Sequence, residues 1–331
     1  MNSFAIANCT TVDGALSQLK DGAVVKAGGV DLLDRMKIGI DQPQKLVNIR
    51  NISRLRGINE TDKGLTIGAL TTLAEVSEHP VIRKQYQILA DACGSAATPH
   101  IRNMATLGGN LLQRIQCWYY RSNDFECLRK GKDMCFAFDG LNQYHAIMDY
   151  AGCPSVAPSS AAVALLGLNG SVELTSAKGK RVVAIKDLYV EGDDPTKFNA
   201  VAPDELLTSV IIPKPTNGTR SAYQKYGEKE SFDWAIADAG VVLEMDGNTC
   251  RKAVITMGAA SPIVRHSAEA EAVLAGKPIT EATARAAGKA AMEGAHPLSM
   301  NAYKVELFPI AIYRTILLAA GQMDRDPSAA G

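Results

Sequence analysis

Two pairs of adjacent glycines constrain the fold of this chain more than any other feature. The first pair, Gly28-Gly29, follows an apolar run at 23–26 that predicts a buried strand, and a helical pattern resumes at Asp31. Glycine permits positive φ and lets backbone N–H groups approach an anion, and a helix N-terminus adds its positive dipole end. This first glycine turn (residues 27–33) suits a pyrophosphate, although such a pair can also be only a tight connection between strand and helix.

A second pair, Gly108-Gly109, could likewise let backbone N–H groups approach an anion, and we call residues 105–110 the second glycine turn. It adds the hydroxyl of Thr106 and the amide of Asn110, which can hydrogen-bond a phosphate or a ribose. Neither turn fits G-x-G-x-x-G, and neither has the Gly-Lys-Ser/Thr ending of a loop that binds nucleoside triphosphates. A Rossmann-type nicotinamide site and an ATP-hydrolysing site are therefore both disfavoured.

Length and charge limit the classes of protein that fit. A chain of 331 residues predicts two or three compact units, and 47% hydrophobic with 21% charged residues is an ordinary globular composition. The 35 basic and 35 acidic residues cancel, so a nucleic-acid partner is disfavoured. No apolar run approaches the ~20 residues that span a bilayer, and the N-terminus lacks a signal pattern. We expect neither membrane insertion nor an export signal on this chain.

Apolar periodicity predicts an α+β chain in which the pattern of strands and helices changes near Pro213 and Pro215. Before those prolines short strands alternate with helices, and Lys178-Gly179 predicts a hairpin turn; afterwards Asp246-Gly247-Asn248 joins two strands, and alanine-rich helices follow. The predicted strands are 4–7, 23–26, 45–49, 65–67, 171–175, 181–185, 207–212, 221–226, 235–244 and 252–257, and the predicted helices are 12–19, 31–38, 73–78, 86–93, 161–168, 266–274, 280–292 and 301–320. We expect the tail 324–331 to be frayed.

Four of the seven cysteines, Cys117, Cys127, Cys135 and Cys153, cluster within about forty residues among aromatic side chains. An odd number of cysteines does not indicate a disulfide framework. The spacings of nine, seven and seventeen residues lack the paired C-x2-C of structural zinc sites and the compact run of bacterial ferredoxins. Zinc, an iron–sulfur cluster and unligated structural cysteines all remain open on spacing alone. The other three, at 9, 93 and 250, are most simply small buried hydrophobic residues.

Three motifs in order, at 26–33, 104–112 and 205–213, resemble the FAD-binding subunits of molybdenum hydroxylases, the xanthine dehydrogenase, carbon monoxide dehydrogenase and aldehyde oxidoreductase group. The resemblance covers nearly the whole chain. It implies an FAD-binding domain at 1–215, made of two α/β subdomains (about 1–57 and 58–215) as in vanillyl-alcohol-oxidase-like proteins. It also implies a C-terminal domain at 216–331 with a small antiparallel sheet and helices, like that of the carbon monoxide dehydrogenase flavoprotein.

The resemblance also implies which residues bind FAD. Leu207 would pack beside the flavin, and Lys225 would stabilise the anionic reduced ring, unless it is only a solvated lysine at a strand edge. Ser160 stands where the family commonly has an aspartate, so that contact loses its charge. The implied cofactor-binding residues are Lys26, Ala27, Gly28, Gly29, Val30, Asp31 and Leu32 in the first motif, Thr106, Gly108, Gly109, Asn110 and Leu112 in the second, and Ser160, Leu207 and Lys225 further along.

The segment 113–158 is similar to an insertion in the FAD subunits of bacterial aldehyde oxidoreductases of the PaoABC type, which carry an additional 4Fe-4S cluster. By this resemblance Cys117, Cys127, Cys135 and Cys153 are the cluster ligands. The FAD subunit of 4-hydroxybenzoyl-CoA reductase also bears a 4Fe-4S cluster, so the substrate class stays open. His145 is either a ligand or proton carrier, or a structural hydrogen-bonding residue.

The resemblance implies an electron-transfer subunit in a heterotrimer. A large subunit would hold the molybdenum cofactor, a small subunit would pass electrons through 2Fe-2S clusters to this FAD, and an external acceptor would receive them. The cluster would extend electron storage, exchange electrons with FAD, or only staple the insertion. Alternatives are a stand-alone flavin oxidase and a zinc-stapled binding module. The complex would reside in the periplasm if a partner carries a twin-arginine signal, or in the cytoplasm.

Overall fold

Three separate sheets follow one another along the chain in the computed structural model, which describes residues 1–191, 194–228 and 232–325. The first sheet is small and parallel, in the order β1-β3-β2. The Thr11 side chain caps the first helix by accepting from the backbone N–H of Gly14, as the sequence predicts. The elements of this unit are β1 (Ala5–Asn8), α1 (Val12–Gln18), β2 (Val24–Lys26), α2 (Val30–Lys37) and β3 (Lys45–Asn48).

The second sheet is antiparallel, in the order β4-β5-β8-β6-β7, and helices pack against it. The predicted hairpin at Lys178-Gly179 is confirmed, since β6 pairs with β7 from Ser176 and Gly179 onward. Its elements are β4 (Ile58–Thr61), β5 (Gly64–Gly68), α3 (Leu73–Glu78), α4 (Pro80–Gln85), α5 (Gln87–Gly94), α6 (Pro99–Arg102), α7 (Leu107–Leu111), α8 (Ser160–Gly167), β6 (Ser171–Ser176), β7 (Gly179–Ala184), α9 (Ile185–Leu188) and β8 (Leu206–Pro213). The sequence did not predict β4 or the short helices α4, α6, α7 and α9.

The third sheet runs β12-β11-β10-β9, with β13 paired to β11, and three helices cover it. The predicted turn after Asp246 is confirmed, because Asp246 pairs with Thr249 across two residues. These elements are β9 (Thr219–Tyr226), β10 (Ala237–Asp246), β11 (Thr249–Met257), β12 (Arg265–His266), α10 (Ala268–Leu274), β13 (Lys277–Pro278), α11 (Glu281–Ala290) and α12 (Tyr303–Ala320). A small antiparallel sheet with helices is the C-terminal architecture expected from the sequence, and the α+β fold class is confirmed.

Helix α8 joins the second and third sheets. Every residue from 161 to 167 is buried, which is the pattern of a helix that is apolar all round. The hydroxyl of Thr256 on β11 donates to the carbonyl of Val163 at 3.0 Å, so the third sheet lies directly on α8. The third sheet therefore packs against a helix that precedes β6 of the second sheet.

Residues 113–158, all of which the structure describes, form an irregular segment with one 3₁₀ turn at Leu128–Lys130. We call this segment the cysteine insertion. It is tied to the C-terminal unit because Asn301 donates to the carbonyls of His145 and Ala146 at 3.1 and 3.0 Å. Those bonds hold residue 301 outside the helix, so α12 begins at Tyr303 rather than at the predicted residue 301.

No helix within the described ranges is both long and apolar enough to cross a membrane. Of the tail expected to be frayed, residues 326–331 lie outside the described part of the chain.

Candidate cofactor site

One cavity of about 680 Å³ lies where the three units meet. Both glycine turns line it, together with the start of β8, residues 232–235, and parts of β9 and β10. Its wall includes every cofactor-binding residue implied by the sequence resemblance except Lys26. The Lys26 side chain instead lies beside Gly29, where its Cε would be 3.1 Å from an added Cβ. Sequence motifs nearly two hundred residues apart therefore converge on a single space.

The first glycine turn approaches the rest of the protein through its backbone. A Cβ at Gly28 would lie 2.1 Å from the carbonyl oxygen of Met104, so only glycine fits at this point of contact. Gly29 has φ of 84° and is the N-cap residue of α2. The first backbone N–H groups of a helix have no intrahelical partner, and no side chain among the described residues caps α2. These donors at the cavity wall suit an anion.

The second glycine turn is built differently, because it forms the short helix α7. Leu107 and Gly108 donate their backbone N–H groups to the carbonyls of Thr71 and Ala69, at 2.8 and 2.9 Å. The N–H of Gly109 donates to the Thr106 hydroxyl at 3.1 Å, and that of Asn110 to the Thr106 carbonyl at 2.8 Å. Its backbone N–H groups therefore already donate within the protein, so this turn lines the cavity without offering free N–H groups.

The carboxylate of Asp31 in the first turn is neutralised from two sides. Arg35 of α2 forms an ion pair with it, and Arg121 of the cysteine insertion donates to it at 2.6 Å. The backbone N–H of Arg114 also donates to Asp31, at 3.1 Å. The insertion is thus attached to the first glycine turn as well as to the C-terminal unit.

Arg114 lines the cavity and was not among the predicted site residues. Its guanidinium lies 4.3 Å from the centre of the Phe198 ring, and burial lowers its pKa from the ordinary value. A half-buried arginine at a cavity wall can bind phosphate in a bidentate manner. The signal in the sequence was a basic residue two positions after the second motif, which ends at Leu112.

Lys225 lies on β9, an edge strand of the third sheet, but its side chain is half-buried rather than fully solvated. Its ammonium group donates to the backbone carbonyls of Ser95 and Asp233 at 2.7 and 3.0 Å. Burial lowers its pKa. The side chain is held at the cavity wall by these two bonds.

Asp238 on β10 also lines the cavity and was not predicted as a site residue. The Tyr223 hydroxyl donates to its Oδ2 at 2.8 Å, whereas Oδ1 is buried with no hydrogen-bond partner in the described part of the chain. Burial raises the pKa of this carboxyl to about 6. The signal in the sequence was an acidic residue within the apolar first half of β10.

The four clustered cysteines are all free thiols within electrostatic reach of one another. A hydrogen bond between Cys135 and Cys153 lowers the pKa of Cys153 and raises that of Cys135. Burial raises the pKa of Cys117 to about 12, and its sulfur lies 3.2 Å from Nε2 of His145. No group of three or more His, Cys, Asp or Glu residues is arranged to hold a metal ion in the described ranges. The geometry does not assign a metal here.

Aromatic rings surround these thiols. The Tyr119 ring centre lies 4.9 Å from that of Phe125 and 6.0 Å from that of Phe136, and the Trp118 ring centre is 5.7 Å from that of His145. Of the four cysteines, Cys127 and Cys153 are buried, whereas Cys117 and Cys135 remain partly exposed. The remaining cysteines, Cys9, Cys93 and Cys250, are buried, as the sequence predicts.

The FAD-binding domain in molybdopterin dehydrogenase, as a family model, matches residues 2–215, and the CO dehydrogenase flavoprotein C-terminal domain matches residues 221–319. The chain is 34% identical over 245 residues to the aldehyde oxidoreductase FAD-binding subunit PaoB of Escherichia coli (strain K12), covering 72% of this chain and 76% of the relative. It is 31% identical over 261 residues to the carbon monoxide dehydrogenase medium chain of Afipia carboxidovorans, covering 79% and 75%.

Solved structures give the same result for the fold. Reconstituted CO dehydrogenase from Oligotropha carboxidovorans superposes with a TM-score of 0.76 at 26% identity, covering 97% of this chain and 99% of the other. The CO dehydrogenase of Hydrogenophaga pseudoflava gives 0.77 at 24% identity, with 98% and 99% covered. With both family models matched over most of its length, the chain belongs to the family of FAD-binding oxidoreductase subunits of molybdenum hydroxylases.

Proposed function

We propose that the cavity binds FAD and that the chain is the electron-transfer subunit of a molybdenum-dependent aldehyde oxidoreductase. The observation that carries this proposal is the convergence on one cavity of the uncapped start of α2, both glycine turns and the half-buried Lys225. The donor chemistry fits an elongated dinucleotide. Free N–H groups suit its diphosphate, and half-buried polar groups at the opposite wall suit a heterocyclic ring.

In this proposal the residues divide by the part of FAD that each contacts. The first glycine turn, with Arg114 beside it, binds the diphosphate, and the second turn packs against the ribose and diphosphate. Leu207 and Lys225 lie beside the flavin ring. The proposed cofactor-binding set is that implied by the sequence, Lys26, Ala27, Gly28, Gly29, Val30, Asp31, Leu32, Thr106, Gly108, Gly109, Asn110, Leu112, Ser160, Leu207 and Lys225, with Lys26 supporting Gly29 from outside the wall.

Bound FAD supplies a carrier that accepts and releases electrons singly or in pairs. The residues of this chain supply a positive charge and an apolar surface at the cavity wall. Lys225, held by the carbonyls of Ser95 and Asp233, places a positive charge at the cavity wall that favours an electron-rich ring. The apolar side chain of Leu207 limits the access of water on its side, since only 4% of it is exposed.

We further propose that Cys117, Cys127, Cys135 and Cys153 hold a 4Fe-4S cluster. Thiolates are the required ligands, and all four thiols are free. No preassembled group of ligands for a metal ion occurs in the part of the chain described, so the four thiols would have to rearrange around zinc or a cluster alike. The neighbouring aromatic rings suit this ligand set.

The proposal extends to the assembly and to the division of the chain. A molybdenum-cofactor large subunit and a 2Fe-2S small subunit would complete a heterotrimer that delivers electrons to an external acceptor, in the periplasm or the cytoplasm. The FAD-binding domain would occupy residues 1–215, with subdomains at about 1–57 and 58–215, and the C-terminal domain residues 216–331. The similarity to an aldehyde oxidoreductase FAD-binding subunit supports aldehyde as the substrate class of the complex.

Cofactor analysis of the purified full chain tests both parts. We expect one flavin and about four irons per chain, with a broad iron–sulfur absorption beneath the flavin bands. Cys135→Ala should lose the iron and retain the flavin, whereas the control Cys250→Ala, a buried cysteine in the C-terminal sheet, should retain both. Zinc without iron would overturn the cluster, and a chain without flavin would overturn the whole proposal. Co-purified molybdenum and aldehyde-dependent dye reduction test the assembly.

A further inference from the structure

A buried carboxylate is built into the cavity wall at Asp238, with one oxygen left for a ligand. The side chain is 3% exposed, Oδ2 accepts the hydroxyl hydrogen of Tyr223, and Oδ1 has no partner among the described residues. A buried polar atom without a partner costs about 1–3 kcal/mol, so its retention calls for a function.

The surrounding backbone makes room for this carboxylate. A Cβ added at Gly258, next to the end of β11, would lie 2.4 Å from Oδ1 and 2.5 Å from Oδ2 of Asp238. In the register of β9 and β10, Asp238 lies directly opposite Lys225. Opposite residues in antiparallel strands project to the same face. The carboxylate and the ammonium group therefore occupy the same side of the sheet, at the cavity.

Three titratable groups face Asp238. Tyr223 and Lys225 approach from β9, and Lys304 approaches from α12. Lys304 is fully buried, and its ammonium group donates to the carbonyls of Ala259 and His145 at 2.5 and 3.0 Å. Both lysines favour the ionised carboxylate, whereas burial opposes it. Because these effects oppose one another, a change of charge in the cavity can alter the protonation of the Asp238 carboxylate.

We propose that Asp238 binds one further proton when the cofactor in this cavity is reduced, an inference that rests on the proposed binding of FAD. When the cofactor gains two electrons, the reduced ring takes one proton from solvent, and the Asp238 carboxylate takes a second and becomes a neutral carboxylic acid. On reoxidation the two electrons leave for the acceptor and both protons return to solvent. No other bond forms or breaks at Asp238, and the buried charge in the cavity changes by less than the electrons alone would change it.

The direction of the effect follows from electrostatics. Negative charge added to the cavity disfavours a second negative charge beside it, so it raises the pKa of Asp238. Burial already places that pKa at about 6. Asp238 is therefore mostly ionised at neutral pH before reduction, and it binds a proton on reduction between about pH 6 and the higher pKa that it has in the reduced state.

The test is the flavin midpoint potential of the FAD-loaded full chain, titrated with dithionite and mediators from pH 5 to pH 9. A tenfold change in proton concentration shifts a two-electron potential by about 30 mV for each proton bound. Between about pH 6 and the raised pKa of Asp238 in the reduced state, we expect Asp238→Asn to lower the slope by up to one proton, or about 30 mV per pH unit, relative to the unsubstituted chain. The control Glu271→Gln, which alters a carboxylate bonded to the N–H of Ile255 outside the cavity, should retain the full slope.

Tyr223→Phe gives an independent test that keeps the carboxylate. Loss of the hydroxyl donor raises the pKa of Asp238, because that hydrogen bond favours the ionised form, and the extra slope should then begin at higher pH. Unchanged slopes in both variants, each with FAD bound, would overturn the role of Asp238 and leave the FAD site intact. An unsubstituted chain that does not bind FAD would instead overturn the proposed function.

Discussion

The two glycine turns look alike in the sequence and do different work in the structure. In the first turn, Gly28 meets a backbone carbonyl and Gly29 adopts positive φ, which leaves the start of α2 uncapped at the cavity. In the second turn, the N–H groups of α7 are bonded to Ala69, Thr71 and Thr106. A Gly-Gly pair before a helix therefore indicates close backbone packing, and only the partners of its N–H groups decide whether it can bind an anion.

Gly28→Ala should have the largest effect on stability and flavin binding, because the added Cβ would collide with backbone atoms. The added methyl would lie 2.1 Å from the carbonyl oxygen of Met104, so the two glycine turns must separate. We expect the free energy of unfolding to fall by about 3 kcal/mol or more and the flavin to be lost. Urea denaturation and flavin content measure the two effects. Gly94→Ala is the control, since its Cβ would meet only Ser77 at an ordinary 3.6 Å, and normal stability in Gly28→Ala would contradict the close contact.

Gly29→Ala should lower the free energy of unfolding by less, because alanine at this position is strained by the positive φ and not by a collision with backbone atoms. At φ of 84° an L-residue costs about 1–2 kcal/mol, while the nearest atoms belong to the flexible side chains of Leu33 and Lys26. We expect that loss of stability together with weaker flavin binding. Gly22→Ala separates the two, since Gly22 has φ of 71° with nothing within 4 Å of its Cβ. It should lose similar stability and keep its flavin affinity; equal losses of flavin affinity in both variants would mean that strain alone, rather than the position at the cavity, weakens binding.

Local pattern was enough to predict the elements on which the site is built. The strand before Gly28, the helix after it, and the hairpin at Asp246 all follow from residues that are neighbours in the sequence. Long-range partners could not be predicted in the same way. The acceptors for the N–H groups of α7 lie nearly forty residues earlier, at Ala69 and Thr71, and no periodicity places them there.

The same limit explains the residues that sequence reasoning missed. Asp238 lies in a strand whose other residues are nearly all apolar, so its position at the cavity depends on the pairing of β10 with β9. Arg114 reaches the cavity because the cysteine insertion folds back onto Asp31. The four cysteines were recognised by resemblance, and their spacing alone left zinc, iron–sulfur and no ligand equally open. A segment of irregular backbone has no periodic pattern of apolar residues, so its contacts cannot be predicted from the sequence pattern.

Gly108→Ala tests the packing role of the second turn. Alanine favours a helix over glycine by about 1 kcal/mol, which acts in favour of this variant. Against it, the Cβ would lie 3.0 Å from the Cβ and 3.1 Å from the carbonyl oxygen of Ala69. Ala69 is fixed because its N–H donates to Thr208 and its carbonyl accepts from Gly108. We expect a net loss of about 0.5–1 kcal/mol in urea denaturation; a gain in stability would show that Ala69 moves freely.

Gly109→Ala should have the smallest effect on stability and so isolates the contact of the second turn with the cofactor. Its Cβ would meet only the Thr106 hydroxyl, at 3.0 Å, and the residue lines the cavity. The helical gain of alanine offsets this crowding, so unfolding free energy should change by less than about 0.5 kcal/mol. A methyl at the wall of an occupied site should weaken flavin binding about tenfold, or 1.4 kcal/mol, measured by titrating FAD into flavin-stripped protein. Unchanged affinity would mean that the second turn only supports the first and that FAD contacts the first turn alone.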